Sequence, residues 1–246
     1  MSPAMMIMGV IVIILLYMYF FYKTGETKLR DKINLSGTTA PADIPASELP
    51  DPTARVYSYE TMVYISKYDG KGNVLFYRDS AATASNYHTI SAGTRGANNK
   101  YNIAVSVEGA VPTLKVYYQT TSDAASTGIV VTDNFPIQSW THVIVSVDSN
   151  YIDIYVNGKL SKSLKVTAIA TPSVSEPIKF IPWPEGTLGC TLANFVRRTN
   201  AIDPATAWSY YNNTASSSNV SKYLGSLGMD LSLKKDNLEY SKLNIF

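Results

Sequence analysis

The stretch NFPIQSWTHVIVSVDSNYIDIYVNGKL, from Asn134 to Leu160, constrains the fold more tightly than any other part of the chain. After Trp140 the side chains alternate, with Val143, Val145 and Val147 on one side and His142, Ile144 and Ser146 on the other. A period of two is that of a strand with one face on a core. Asp148-Ser149-Asn150 is turn chemistry, because short polar side chains bond their own backbone. Alternation resumes with Ile152, Ile154 and Val156 opposite Tyr151, Asp153 and Tyr155. Asn157-Gly158 then suits a two-residue type I′ hairpin, whose central residues both need positive φ. Leu160 and Leu164 carry the pattern into a third strand. The stretch therefore predicts an antiparallel meander of three strands.

The same residues resemble the laminin-G-like, concanavalin A-like domains, the two-sheet jelly rolls of lectins, glucanases and adhesion proteins. Trp140, His142, Tyr155, Asn157 and Gly158 carry the signature, with Val143, Asp148, Val156 and Leu160 alongside. A second echo is LANFVRRTNAIDPATAWSYYNN, where such domains follow a late strand with a short helix; Asp203 would be its N-cap and Pro204 its first residue. Tyr57 to Ser80 reads as an opening strand pair. The resemblance implies an all-β, two-sheet antiparallel jelly-roll sandwich over 55–215.

A chain of 246 residues, 46% hydrophobic, can bury one sizeable core of this kind. The net charge of +2 gives no field for nucleic acid, and no basic run interleaves with aromatics. Cys190 is the single cysteine, so no intrachain disulfide forms, which leans towards a reducing compartment.

The sandwich is preceded by an apolar run. From Met5 to Tyr22 no charged residue occurs, and eighteen residues span about 27 Å as a helix, close to the hydrocarbon thickness. Met5, Ile7, Val10, Ile14 and Leu16 fill the run, and Tyr19 and Tyr22 suit an interfacial belt. A cleaved signal peptide would need a basic n-region and a small-residue cleavage site, which this run lacks. Residues 1–23 are therefore expected to form one transmembrane helix. Lys23, Lys28, Arg30 and Lys32 follow it and no Lys or Arg precedes it, which places the C-terminal domain on the cytosolic side. Sequons at Asn34, Asn212 and Asn219 would matter only in a lumen. Residues 24–54, rich in proline and small polar residues, read as an extended tether or as an ordered arm along a neighbour. Residues 216–246 read as a C-terminal arm or an edge strand near Leu238 to Phe246.

Catalytic chemistry is sparse. Related glucanases carry an E-x-D-x-x-E arrangement on one strand, and none occurs here. A glycosidase needs two carboxylates about 5–9.5 Å apart, whereas Asp148 and Asp153 read as a turn cap and a solvent-facing residue. His142 reads as a satisfied sheet histidine, and His88 has no second ligand nearby in sequence. Neither a nucleophile elbow nor a phosphate-binding glycine loop is present. SKYDGKGN and TTSDAASTG have loop chemistry but gather too few carboxylates for calcium. No catalytic residue, metal ligand or cofactor is expected. Trp183, between prolines in IPWPEG, is the candidate contact for a sugar or a protein partner.

Two functions follow. The first is a non-enzymatic connector between a bilayer and a protein assembly. In architecture it resembles minor capsid and membrane-associated proteins of large icosahedral DNA viruses, which implies a place in the virion between internal membrane and shell, with capsid-like proteins as partners. The alternative is a membrane-anchored carbohydrate-binding or adhesion module.

Overall fold

The computed structural model describes residues 26–79, 101–121, 126–172, 174–182, 189–224, 230–235 and 238–244. The expected span, Met5 to Tyr22, lies outside them, as do Trp183 and His88. Among the described residues no helix is long and apolar enough to cross a membrane.

Two antiparallel sheets face each other, consistent with a jelly roll. One has six strands: β1 (Glu26–Asn34), β11 (Gly189–Arg198), β2 (Tyr57–Lys67), β7 (Trp140–Val147), β8 (Tyr151–Val156) and β9 (Lys159–Lys165), in that spatial order. The other has five: β10 (Ile178–Lys179), β3 (Gly72–Asp79), β4 (Tyr101–Glu108), β5 (Thr113–Tyr118) and β6 (Thr127–Thr132). Helix α1 (Pro204–Leu224) follows β11, and β12 (Asp230–Lys235) pairs with β13 (Leu238–Asn244) in a separate two-stranded sheet.

The predicted meander is present as β7, β8 and β9. Asn157 and Gly158 take φ of 49° and 73°, the left-handed pair that a type I′ turn requires. Val143, Val145, Val147, Ile152 and Ile154 all enter the core between the sheets. Each such side chain contributes roughly 1.5–3 kcal/mol when buried. Phe76 and Phe195 meet edge to face at 4.9 Å across the same core. Cys190 also packs there, and burial pushes its thiol up and keeps it protonated.

Several expectations change. The outer face of the meander is not solvated: Ile144 and Tyr155 are fully buried against Ile202 and Ala207, because α1 lies across them. Asp153, on that face, is half-buried and not solvent-facing. Strands β2 and β3 exist, but they sit in different sheets, the first beside β7 and β11 and the second beside β4 and β10. The 216 boundary falls inside α1, and the C-terminal strand pairs with β12 as a hairpin of its own.

The largest correction concerns residues 24–54, of which those described are no spacer. Residues 26–34 form edge strand β1 along β11. The following segment straps the sandwich, burying Leu35, Ile44 and Leu49 and exchanging backbone hydrogen bonds between Ile44 and Ile178, both 2.9 Å. Two buried arginines hold its far end. Arg197 donates to the carbonyls of Pro50 and Asp51, and Arg78 Nη1 donates to that of Pro52 at 2.6 Å. Proline removes a donor and keeps an acceptor, so a proline-rich strap suits guanidinium donors. Tyr57 and Tyr59 complete the Arg197 site, with ring centroids 5.6 and 6.0 Å from its carbon.

Candidate functional site

The candidate site lies on the outer face of the six-stranded sheet, where α1 rests. Asp203 starts the helix as the sequence predicts: its Oδ1 accepts from the backbone N–H groups of Ala205 (2.9 Å) and Thr206 (3.0 Å). The Thr206 side-chain and backbone hydrogen bonds hold its carboxyl below the usual range. Two sheet residues fix the approach to the helix. Ser146 Oγ accepts from the Ile202 N–H at 2.8 Å, and the Tyr155 hydroxyl donates to the Ile202 carbonyl at 2.8 Å. At the far side of the meander, Gly158 leaves room for the helix. A Cβ there would lie 2.8 Å from the Tyr211 Cβ and 3.0 Å from the Trp208 ring.

Beneath the helix sits a buried polar row. His142 Nε2 meets Glu60 Oε1 at 2.8 Å, and Arg198 Nη1 meets Glu60 Oε2 at 2.5 Å. The three come from β7, β2 and β11, strands adjacent in space and far apart in sequence. Burial alone would raise the Glu60 pKa. The His142 hydrogen bond and the Arg198 charge outweigh it, and the carboxyl is held below its ordinary range. The Tyr210 ring of α1 covers the Arg198 guanidinium at 4.0 Å, and Tyr211 lies 5.9 Å from the His142 ring.

Beside this row opens a cleft of about 240 Å3. Glu60, Val196 and Arg198 line it from the sheet, Tyr210, Asn213 and Thr214 from the helix, and Lys28 and Asn194 from β1 and β11. Glu60 is the one carboxylate among these, and it is already committed to the His142 ring and the Arg198 guanidinium. The lining therefore lacks the second carboxyl that acid–base glycoside chemistry needs. Among the described residues no group of three or more His, Cys, Asp or Glu side chains could hold a metal ion.

The signature residues cluster round this face as fold-holding groups. Trp140 is 47% exposed, its ring 5.2 Å from Tyr64. Asn157 Oδ1 accepts from the His142 N–H at 2.9 Å, and the Asn157 N–H donates to the His142 carbonyl at 2.8 Å, which locks the end of β7 to the turn. Glu60, Asn194, Arg198 and Tyr210 were not anticipated. The Arg197-Arg198 doublet on a strand was the available signal, since alternation sends one guanidinium to each face.

This geometry agrees with the sequence comparison. Residues 36–181 match the family model of the concanavalin A-like lectin/glucanases superfamily. The chain belongs to that superfamily. The match begins inside the proline-rich strap, so the strap is part of the family domain. No curated protein sequence matches the chain at a significant level. Among solved structures, the receptor-binding domain of botulinum neurotoxin D aligns with a TM-score of 0.55 at 11% identity, over 75% of this chain and 44% of that one. The type G receptor-binding domain aligns at 0.50 and 16%, over 77% and 46%. The serotype D ligand-binding domain in complex with N-acetylneuraminic acid aligns at 0.53 and 11%, over 74% and 42%. The chain spans less than half the length of these structures, and identities this low show a shared concanavalin A-like fold alone.

Proposed function

We propose that the chain is a non-catalytic recognition module, a concanavalin A-like sandwich held at a membrane by its N-terminal apolar segment, whose ligand is carbohydrate. The commitment of Glu60 to both His142 and Arg198 carries this reading. A carboxylate so held has neither the raised pKa of a general acid nor a partner to activate water. The superfamily includes lectins by name, and one solved relative in fold is a complex with N-acetylneuraminic acid. The apolar run from Met5 to Tyr22 supports attachment to the bilayer.

The test uses the full chain in detergent on a glycan array, paired with a hydrolysis assay on β-glucans. The reading expects retention of a defined set of glycans and no cleavage. Cleavage, or an array without signal, sinks it.

A second reading, the connector between a bilayer and a capsid-like protein assembly, is favoured by the exposed aromatic and aliphatic side chains Trp140, Tyr151, Leu160 and Trp208. Cross-linking in the intact membrane or particle would then capture protein neighbours through this surface. Protease protection in sealed vesicles reports which side of the bilayer the sandwich occupies.

A further inference from the structure

The cleft beside α1 coincides with two separate breaks in the sheet. β11 leaves register with β2 between Ala193 and Val196, and β1 leaves register with β11 between Lys28 and Arg30. Asn194, inside the first break, has φ of 54°, uncommon for a residue other than glycine. Bulges re-aim side chains and are over-represented next to functional sites. Here both fall at the level where Lys28, Val196 and Glu60 lie opposite one another across three strands. Neighbouring β2 and β7 pair without a break.

We infer that this cleft binds a single polyhydroxylated ring, the terminal sugar of a glycan. The inference rests on the carbohydrate-recognition reading and goes further by placing the ring. At about 240 Å3 the space is smaller than the 300–1,000 Å3 of drug-sized sites, so it takes one ring. The amides of Asn194 and Asn213 and the Thr214 hydroxyl each both donate and accept, as a hydroxylated ring requires. Tyr210 supplies an aromatic wall. Glu60 and Arg198 form a floor whose charges are already opposed, so it sets shape. Lys28 stands half-exposed at the mouth, paired with Asp31. With Lys28 paired to Asp31 and Arg198 to Glu60, the charges at the cleft balance, so neutral and acidic rings bind with similar affinity.

The experiment is titration of the full chain in detergent with the methyl glycosides of glucose, galactose, N-acetylglucosamine and glucuronic acid. Saturation-transfer NMR detects contact and calorimetry gives affinity. At least one glycoside is expected to bind, with glucoside and glucuronide of similar affinity. The double substitution Asn213→Ala/Thr214→Ala should weaken binding tenfold or more while circular dichroism shows the sandwich still folded. Binding that survives Asn213→Ala/Thr214→Ala overturns the placement and leaves carbohydrate recognition standing. No binding to any glycoside, together with a silent glycan array, overturns both.

Discussion

The two halves of the six-stranded sheet carry the same architecture to different ends. On the β7–β8 side, the β2–β7 and β7–β8 ladders run without interruption, the shift there lying further out between β8 and β9, and cross-strand neighbours such as Ile144 and Tyr155 close tightly beneath Ile202 and Ala207. On the β1–β11–β2 side, both ladders shift register, a charged row replaces the apolar one, and a cleft opens at the edge of the same helix. A regular ladder lets side chains nest and exclude water. A bulged one turns them out of the pleat and leaves polar groups in reach of a ligand.

The comparison can be broken most severely at Arg198. Arg198→Met keeps the volume and leaves the buried Glu60 without its guanidinium partner, and is expected to cost about 3–5 kcal/mol in urea unfolding. The same site sets the acid limit. The Glu60 pKa is lowered in the fold, so its contribution is present above the unfolded value of 4.5 and is lost as pH falls through the folded one. A urea midpoint series from pH 7 to pH 3 should therefore fall below about pH 4.5, and the acid-dependent part of that fall should shrink in Arg198→Met. An unchanged acid slope would detach Glu60 from stability.

On the regular side, Gly158→Ala combines a positive φ with collision against Trp208 and Tyr211. It should cost about 1–3 kcal/mol, read by the same unfolding curves. Asp203→Ala removes the cap that starts the helix and should lower stability by about half as much as Gly158→Ala. The smallest change is Asn194→Gly. Glycine accepts the bulge conformation freely, so stability should move by no more than about 0.5 kcal/mol while affinity for a cleft ligand falls. A large loss of stability would instead mark Asn194 as part of the frame.

Local chemistry was readable wherever it acts between close neighbours in the chain. Asn157-Gly158 specified its turn through φ alone, and Asp203 followed by Pro204 specified a helix start. The strap from 35 to 55 was misread because its prolines report the donors it lacks and say nothing of the guanidinium groups that bind its carbonyls. Those groups, Arg78 and Arg197, lie at distant points of the chain. The hydrophobic alternation of β7 fixed which residues share a face, yet Ile144 on the polar face already hinted that both sides would be covered.

Alternation, turn residues and a cap, each read within a few residues, determined a three-strand meander and a helix start, and the resemblance to concanavalin A-like domains implied the sandwich around them. Only the tertiary structure decided that Glu60, His142 and Arg198 meet, because strand order, and not spacing along the chain, sets β11, β2 and β7 side by side. It also decided where the sheet opens, since a register shift is an agreement between two strands that neither strand's sequence contains.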